Sequence, residues 1–449
     1  EDLHRRYLAK PLPKGIVSEF GRRTSMTPAM QSYAAKDAEA ALAIALIQRQ
    51  EIEAEGISMR HYFEIDEKML WAILDMPRVR IDVDGWIKLA KFHKAKGERL
   101  EKTLGFNVFS HEIVKTKIEA QIGSEIKNTS ASETLEPLLK SLRRTHRTDE
   151  AKFVDMILKA RQYRKAAETY GQSWVDQHVE TGGFVYPDWK NNGTETARMA
   201  CANPNLQNIP TRDLPAFRAL FISRHGKTGR MLIADQEQQE VRILAMLSDD
   251  AAMKADILSG KDLHEQAMRD FTLEDRDEGK QTNLSLQYGI SAWSLSRRTG
   301  ISEDQARLGI QKRNRRYPAV VEWTRKQINF AMAMDYVKST MGRRIWINRY
   351  ALYGGAERNA TNSPVQTSAA EQIKLWQNLL HKWSREEGYD YSICLAVHDE
   401  LVADVPPETS AAWRREIKAT GIESGKIAVP GFPMAVKVYI GTNWGDKKK

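Results

Sequence analysis

The 449-residue sequence has only two cysteines, Cys201 and Cys394, which argues against a disulfide framework and a cysteine-based metal site. It has no run of 18 apolar residues and no secretory signal peptide, so a membrane-spanning or secreted protein is not expected. There is no repeat and no low-complexity block beyond a short basic tail. We therefore expect a soluble cytoplasmic protein in a reducing compartment. Because the chain begins at Glu1 rather than at methionine, we also expect a fragment of a longer protein.

Positive charge exceeds negative charge in this sequence. Lysine and arginine number 68 against 59 acidic residues, which gives a net charge of +9 and a pI of about 9.2. Such an excess fits a polyanionic partner, although it is also common in proteins that bind nothing charged. The length allows two or more domains. Helical and extended patterns are mixed along the chain, which predicts an α+β protein with helices inserted between the strands of one sheet.

The stretch SICLAVHDELVADV, from Ser392 to Val405, has apolar residues on both sides of the charged triplet His398, Asp399 and Glu400. This pattern predicts two short strands with a turn between them. The triplet is then either a polar turn tip or a set of carboxylates held on a rigid scaffold for chemistry. The hairpin alone leaves both interpretations open.

A second segment, MLIADQEQQEVRILAML, predicts a buried strand from Met231 to Ala234, with Asp235 where the strand emerges. Glu240 and Arg242 then precede an apolar pattern with helical spacing. An aspartate at a strand end is often a turn or helix-capping residue, and this segment by itself favours that interpretation.

A third segment, RDEGKQTNLSLQYGISAWSL, has Arg276, Lys280, Leu284 and Tyr288 at successive four-residue intervals. In a helix this spacing forms one stripe, with the two cations on successive turns. The stripe is either a solvated basic patch beside an apolar core or a surface that grips a triphosphate and stacks a base.

The three segments together are more specific than each alone. Asp235 and Asp399 could face each other across one sheet although they are far apart in sequence. Mg²⁺ prefers oxygen ligands and is usually held by one or two carboxylates together with substrate phosphates. Two such ions about 3.5–4 Å apart clamp the attacking and leaving oxygens in phosphoryl transfer. A cationic helix nearby would stabilise charge on the phosphates.

The segments DQEQQEVR, RDEGKQTNLSLQYG and VHDE match, in order and spacing, motifs A, B and C of family A DNA polymerases. This family contains bacterial DNA polymerase I and many phage replicative enzymes, and the chain resembles it from about residue 60 to the C-terminus. Further family-like stretches are TARMACANPNLQNIP, YPAVVEWTRKQ, GRR at 342–344, ERNATNSPVQTSAAEQIK and the ending GTNW.

The resemblance implies a right-hand polymerase fold, in which an antiparallel palm sheet, a helical thumb and helical fingers surround a DNA cleft. It implies a DNA-dependent DNA polymerase that adds dNTPs to a primer 3′-hydroxyl, in replication or repair, in a bacterial or phage-infected cell. The expected divisions are 1–60 for a helical remnant of a 3′–5′ exonuclease-like domain, 61–85 for a segment leading into the palm, 86–172 for the thumb, 173–262 for the palm with motif A, 263–355 for the fingers with motif B, and 356–449 for the palm with motif C.

By the same resemblance, two Mg²⁺ ions, with Mn²⁺ as a substitute, would be held by Asp235, Asp399 and the backbone carbonyl of Gln236, and more loosely by Glu400. Asp235, Asp399 and Glu400 would be the catalytic residues. The residues implied at the incoming nucleotide are Arg276, Lys280 and His264 at the triphosphate, Tyr288 over the nascent pair, Glu240 against a ribose 2′-hydroxyl, and Gln238 and Leu284 in the same pocket. Without the resemblance, a surface position would be the better interpretation for the histidine.

Another set of residues would lie along the primer–template minor groove and test pair geometry through acceptors that vary little with sequence. The set is Arg198, Asn205, Gln207, Arg358, Asn362, Gln366 and His398. Turn and capping roles are the alternative for these side chains. Thumb lysines and arginines would follow phosphates without reading bases. The implied partners are primer–template DNA and dNTPs, with the protein acting as a monomer away from membranes and with no accessory processivity factor identified.

Several positions depart from the family pattern. Leu284 replaces an aromatic residue that touches the sugar, which leaves discrimination between deoxy- and dideoxynucleotides open. Glu237 adds an acid beside the metal site. Gln239 replaces an apolar residue that packs under the new pair, so we expect a different pocket polarity. Thr367 and Glu371 stand where glycine and aspartate are common.

The segment YAAKD, from Tyr33 to Asp37, resembles the third motif of the proofreading domain that often precedes this kind of polymerase. Such an exonuclease needs further carboxylates from earlier motifs, and the 32 residues before Tyr33 contain no Asp-x-Glu. We therefore expect no proofreading by this chain, with Asp37 on a helix surface.

Two other functions compete with this interpretation. A single-subunit phage-type RNA polymerase shares the paired aspartates and the Lys–Tyr helix, but Glu240 would disfavour ribonucleotides. A catalytically dead DNA-binding or scaffolding protein would not be expected to keep Asp235, Asp399, Arg276 and Lys280 together.

Overall fold

The computed structural model describes residues 7–8, 25–54, 61–210, 215–287, 289–351 and 354–448. The chain divides into two compact units, Glu1–Glu64 and Ile65–Lys449. In the first unit, helix α1 spans Pro28–Ala54, as its alanine-rich pattern predicts. Gly56, the predicted stop of this helix, lies outside the described residues.

The second unit combines helices with antiparallel sheets, which confirms the α+β prediction. Its helices are α2 Glu67–Leu74, α3 Val83–Leu104, α4 His111–Ile122, α5 Glu136–Arg144, α6 Thr148–Thr169, α7 Gln172–His178, α8 Gln239–Ser248, α9 Ala251–Leu258, α10 Leu263–Phe271, α11 Arg276–Gln287, α12 Ala292–Thr299, α13 Glu303–Arg316, α14 Pro318–Met334, α15 Gly355–Glu386 and α16 Ser410–Ala428. Among the described residues, no helix has the length and apolar character needed to cross a membrane.

The strands of the second unit form four antiparallel sheets within the described part of the chain. They are β1 Val79–Ile81, β2 Val179–Glu180, β3 Phe184–Val185, β4 Asp188–Lys190, β5 Ala200–Ala202, β6 Phe221–Ile222, β7 Arg230–Gln236, β8 Tyr336–Lys338, β9 Arg344–Trp346, β10 Ile393–Val397, β11 Glu400–Val405 and β12 Val436–Gly441. The sheet orders are β2-β3-β1-β6, β10-β11-β7-β12, β4-β5 and β8-β9.

The helices between residues 83 and 169 have a hydrophobic core of their own. Helix α3 begins after Asp82, whose side chain accepts a hydrogen bond from a backbone amide of the first turn, and it ends at the left-handed Gly105. Apolar residues of α4, α5 and α6, among them Ile118 and Leu142, pack together in this core. The thumb is expected from the sequence in this same region.

The sheet of β10, β11, β7 and β12 is covered on both faces. Alternate residues of β7 enter different cores, because successive side chains of a strand point to opposite faces. Ile233 packs in a core with Trp86 and Phe217, whereas Ala234 packs in a core with Trp376 of α15. The predicted hairpin is present as β10 and β11, which are paired with each other in antiparallel register.

Both cysteines are buried in this unit and neither forms a disulfide. Burial raises the pKa of the Cys201 thiol to about 11. Burial also raises the pKa of the Cys394 thiol, which lies in β10, well above its ordinary value.

A buried group of four charged side chains connects α2, α15 and the β8–β9 turn. Lys374 donates hydrogen bonds to Asp66 Oδ1 at 3.0 Å and to Asn192 Oδ1 at 2.6 Å. Arg343 donates to Asp66 Oδ2 and to Glu371 Oε1, both at 2.8 Å. Burial alone would raise the pKa of Asp66, but Lys374 and Arg343 hold it below its ordinary value. Each buried charge in the group therefore faces one of opposite sign.

We expect Lys374→Met to lower the free energy of unfolding by roughly 3 kcal/mol, because it removes one of the cations that compensate a buried carboxylate. Chemical denaturation at neutral pH measures this loss. The control is Lys382→Met in the same helix. It removes the exposed ion pair of Lys382 Nζ with Glu386 Oε1, which are 3.7 Å apart, and should lower the free energy of unfolding by less than about 0.5 kcal/mol. Equal losses in the two variants would contradict the expectation.

Candidate active site

The pairing of β7 with β11 brings Asp235 and Asp399 together. Asp235 is the last residue but one of β7 and lies opposite Glu400, the first residue of β11. Asp399 immediately precedes β11, and its backbone oxygen accepts a hydrogen bond from the Gln236 amide at 3.0 Å. The two aspartates thus meet across one sheet, as expected from the sequence. The strand runs two residues beyond its predicted end, so Asp235 lies inside it.

A two-residue turn formed by His398 and Asp399 joins β10 to β11. His398 has a φ of 58°, in the left-handed region that residues other than glycine seldom adopt. Burial lowers the pKa of His398, and the charges of Arg198 and Arg218 lower it further. The imidazole is therefore harder to protonate than a solvent-exposed one.

Glu400 is buried and held by two side chains of the protein. Its Oε1 accepts a hydrogen bond from Trp444 Nε1 at 2.7 Å and one from Arg218 Nη1 at 3.4 Å. The Arg218 guanidinium carbon lies 3.9 Å from the centroid of the Trp444 ring, a cation–π contact. Trp444 belongs to the family-like ending GTNW, whereas Arg218 carries no signal in the sequence. The looser catalytic role of Glu400 stays a prediction.

Gln239 is hydrogen-bonded to α15 inside the protein. Its Nε2 donates to the backbone oxygen of Ala369 at 3.1 Å and to Gln372 Oε1 at 2.9 Å, both in α15. The side chain is buried, because α8 packs directly against α15. The Nε2 group is thus used in helix packing, and the expected change in the polarity of the pocket stays a prediction.

The neighbouring residues of motif A also make internal contacts. Gln236 is buried, and its Nε2 donates to the backbone oxygen of Gly421 at 3.2 Å, so its side chain points into the protein. The carboxylate of Glu237 forms an ion pair with Lys437 on β12. Gln238, the N-cap of α8, has a φ of 53°. Only the backbone carbonyl of Gln236 is therefore a candidate metal ligand at that residue.

Glu240 and Arg198, which the resemblance assigns to different tasks, form an ion pair with each other. Glu240 lies in the first turn of α8, and Arg198 lies just before β5. The side chains are 16% and 34% exposed, so the pair is accessible from one side. An arginine expected at the DNA thus contacts the acid expected at the sugar.

Helix α11 begins at Arg276 and carries Lys280 and Leu284 at the predicted spacing. The helix packs so closely on α10 that a Cβ added at Gly279 would lie 2.1 Å from the backbone oxygen of His264. Glycine is therefore needed at this position. Arg276 Nε donates to Asp262 Oδ2, the N-cap of α10, at 2.5 Å. Tyr288, expected over the nascent pair, lies outside the described residues.

His264 is buried between these two helices. Asn283 Nδ2 lies 3.3 Å from His264 Nδ1. Burial lowers the pKa of His264 to about 4, with Asp262 opposing the shift and the charges of Lys280 and Arg276 adding to it. The structure therefore corrects the surface alternative for this residue and places an uncharged imidazole beside the two cations.

Apart from Arg198, which pairs with Glu240, and His398, which lies in the β10–β11 turn, the predicted minor-groove residues fall into two groups. Asn205 Oδ1 accepts a hydrogen bond from the Gln207 amide at 3.0 Å, and Gln207 Nε2 donates to the Ala396 oxygen of β10 at 3.0 Å. These contacts match the turn-and-capping alternative. Arg358, an exposed residue, lies on α15 with half-buried Asn362 and Gln366 at four-residue intervals.

The helix residues around this stripe are largely buried, so Arg358 is its most exposed member. The assignment of all seven residues to the minor groove stays a prediction.

The oxygen donors at the ends of β7 and β11 suit a hard divalent cation, which prefers carboxylates and backbone carbonyls. In the described ranges, no three His, Cys, Asp or Glu side chains are grouped so as to hold a metal ion. Asp235 and Asp399 supply two carboxylates, and two are enough for Mg²⁺ when substrate phosphates complete its coordination. The donor set therefore fits the implied metal.

Comparison with known proteins gives consistent matches. The sequence model of DNA polymerase family A matches residues 89–446. DNA polymerase I of Caldicellulosiruptor bescii is 30% identical over 417 residues, which cover 86% of this chain and 47% of that protein. The thermostable DNA polymerase I of Thermus filiformis is 28% identical over 435 residues, which cover 88% of this chain and 51% of that protein. The chain thus spans about half the length of these two relatives.

Among solved structures, the polymerase domain of Pol1 from M. smegmatis, in complex with DNA primer–template and dNTP, has a TM-score of 0.82 to this chain. The two are 23% identical, and the match covers 100% of this chain and 79% of that one. This likeness confirms the right-hand polymerase fold. With the family model matching most of the sequence, the chain belongs to DNA polymerase family A.

Proposed function

We propose that the protein is a template-directed, DNA-dependent DNA polymerase that adds dNTPs to a primer 3′-hydroxyl. The observation that carries the proposal is the convergence of Asp235 and Asp399 at adjacent strands of a family A fold. The solved relative from M. smegmatis is bound to primer–template DNA and dNTP, and we assign the same ligand classes to this chain. The net charge of +9 also favours a polyanionic partner.

Asp235, Asp399 and the backbone carbonyl of Gln236 would hold two Mg²⁺ ions, for which Mn²⁺ would substitute. When bound, such ions stabilise the attacking and leaving oxygens of an in-line phosphoryl transfer. The strand pairing and the two-residue turn fix the backbone of both aspartates before any substrate arrives. Their orientation is then already set when the primer terminus and the nucleotide bind.

Arg276 and Lys280 would bind the triphosphate from successive turns of α11. The guanidinium of Arg276 is held by Asp262 in this structure, and a phosphate would replace that carboxylate as its partner. His264 is uncharged at neutral pH and would contribute a hydrogen bond rather than a charge. Tyr288 would close over a correctly shaped pair, an induced-fit step that gives selectivity.

Glu240 would exclude a ribose 2′-hydroxyl and so select deoxynucleotides. Its ion pair with Arg198 supports this role, because it restrains the carboxylate at the start of α8. The same restraint argues against ribonucleotide polymerisation, the nearest competing activity. Leu284 lacks an aromatic face, so we assign no dideoxynucleotide discrimination to it.

The DNA would be contacted by the minor-groove residues and by thumb cations. Arg358, Asn362 and Gln366 present polar groups along one side of α15. Contacts of this kind test pair shape through acceptors that are shared by all base pairs. Because phosphates are neutralised by lysine and arginine, DNA binding should weaken steeply as salt is added.

We expect Asp399→Ala to reduce primer extension with dNTPs and Mg²⁺ by about a thousandfold or more, because it removes one of two metal-binding carboxylates. DNA affinity should change little, and the wild type should extend with dNTPs but not with rNTPs. The control is Asp390→Ala, which removes an exposed carboxylate just before β10 and should leave extension unchanged. Extension that survives Asp399→Ala would show the metal assignment to be wrong.

We also propose that this chain does not proofread. Tyr33 and Asp37 lie inside helix α1, and the described residues of the first unit include no strand that could bring a second acid to them. A labelled primer with a mismatched 3′ end, given Mg²⁺ and no nucleotides, should therefore stay intact. Steady shortening of that primer by pure protein, at a rate unaffected by Asp399→Ala, would refute the proposal.

His264 predicts a dependence of stability on pH. Its pKa in the folded protein, about 4, lies below the usual value of 6.5, so stability falls as the pH drops from 6.5 towards 4. At pH 5 the loss from this one group is about 2 kcal/mol. Denaturation at pH 7.5 and pH 5 should show a smaller acid-induced loss for His264→Gln than for the wild type. Identical losses would contradict burial of an uncharged imidazole.

A further inference from the structure

Glu278 is a buried carboxylate in the first turn of α11 that none of the proposed chemistry uses. It lies two residues after Arg276 and two before Lys280. Because helical residues are 100° apart, its side chain projects from the opposite side of the helix to these two cations. Glu278 therefore faces away from the side that would bind the triphosphate.

Two cations of α5, in the predicted thumb, meet this carboxylate. Arg144 Nη2 donates to Glu278 Oε2 at 2.8 Å. Lys140 Nζ lies 3.0 Å from Glu278 Oε1. The side chains of Glu278 and Arg144 are 6% and 18% exposed, so the contact is largely removed from solvent. An ion pair of this kind is screened less by salt than a surface pair.

Arg144 also binds the C-terminal ends of two neighbouring helices. Its Nη1 donates to the Thr272 oxygen, at the C-cap of α10, at 3.1 Å. Its Nε donates to the oxygen of Thr299, the last residue of α12, at 3.2 Å. Carbonyl groups at helix ends lack partners within the helix and carry partial negative charge, which a guanidinium satisfies. One arginine of the predicted thumb thus joins α10, α11 and α12.

We propose that Glu278 is a positioning residue, which, through Arg144 and Lys140, holds α11 in the orientation that presents Arg276 and Lys280 to the incoming dNTP. The contact makes nucleotide binding depend on the placement of the predicted thumb, although none of the three bridging residues touches the nucleotide. This inference rests on the proposed polymerase function. It adds to that function a coupling between the predicted thumb and the predicted fingers.

Positioning and simple electrostatics predict opposite effects of Glu278→Gln. Loss of a negative charge near the triphosphate site would by itself strengthen dNTP binding and lower KM. Loss of an orienting contact would weaken dNTP binding, and we expect KM for dNTP to rise about tenfold, since a hydrogen-bonded charge pair is removed. The value of kcat and the affinity for primer–template DNA should change much less than KM.

The test is steady-state primer extension by Glu278→Gln, Arg144→Gln and the double variant. Because the two residues act through one contact, the double variant should be no worse than the worse single variant. The matched control is Glu274→Gln. Glu274 is more exposed than Glu278, and its Oε1 lies 3.8 Å from Arg144 Nε, so this variant should keep KM within about twofold of the wild-type value. Lys140→Met, which leaves Arg144 in place, gives a milder variant if Glu278→Gln does not fold.

An unchanged or lower KM in Glu278→Gln or Lys140→Met, with wild-type extension normal, would overturn the positioning role and leave the polymerase function standing. A KM that rises in the Glu274→Gln control as much as in Glu278→Gln would also overturn it. Failure of the wild type to extend a primer would overturn both the function and this inference.

Discussion

The pairing of β7 with β11 is the constraint on which the proposed chemistry depends. It places Asp235 opposite Glu400 and bonds the Gln236 amide to the Asp399 carbonyl. A shift of one residue would turn every side chain of β7 to the other face of the sheet. Because both faces are buried in apolar cores, such a shift would expose or misplace a whole row of core residues. The hydrophobic packing thus fixes the position of the acids.

Three charged groups of the candidate site share a second property, which is that each is paired with a side chain of opposite charge. Arg276 is paired with Asp262, Arg198 with Glu240, and Glu400 with Arg218. In the proposed function, substrate binding at such groups would exchange one partner for another, so these side chains would not have to be left unpaired at any stage. The exchange would also give selectivity, because a ligand would have to offer a charge as good as the one it replaces.

Local patterns in the sequence predicted the elements that carry the site. The hairpin of β10 and β11 follows from apolar residues around His398 and Asp399, and α11 follows from the four-residue spacing of Arg276 and Lys280. The family motifs then supplied the relation between them. No local pattern predicts that the two aspartates lie on neighbouring strands, since β7 and β11 are separated by most of the second half of the chain.

Contacts between distant segments account for what the sequence did not predict. Arg218 is 182 residues from Glu400, and Arg144 is 134 residues from Glu278. Such pairs produce no periodic pattern in a single sequence. From the sequence alone, their charged residues would be predicted to lie on the surface. Gln239 is a similar case, because its polarity is explained only by α15, more than a hundred residues later.

The burial of both cysteine side chains has a practical consequence for following motion in this molecule. Cys201 and Cys394 are enclosed, and their thiols resist ionisation, so they react slowly with maleimide dyes. Two new cysteines placed on exposed helices would then carry nearly all of the label. Pairs of fluorophores could therefore be attached at chosen sites without first removing either native sulfhydryl, and distances in solution could be read from the otherwise unaltered chain.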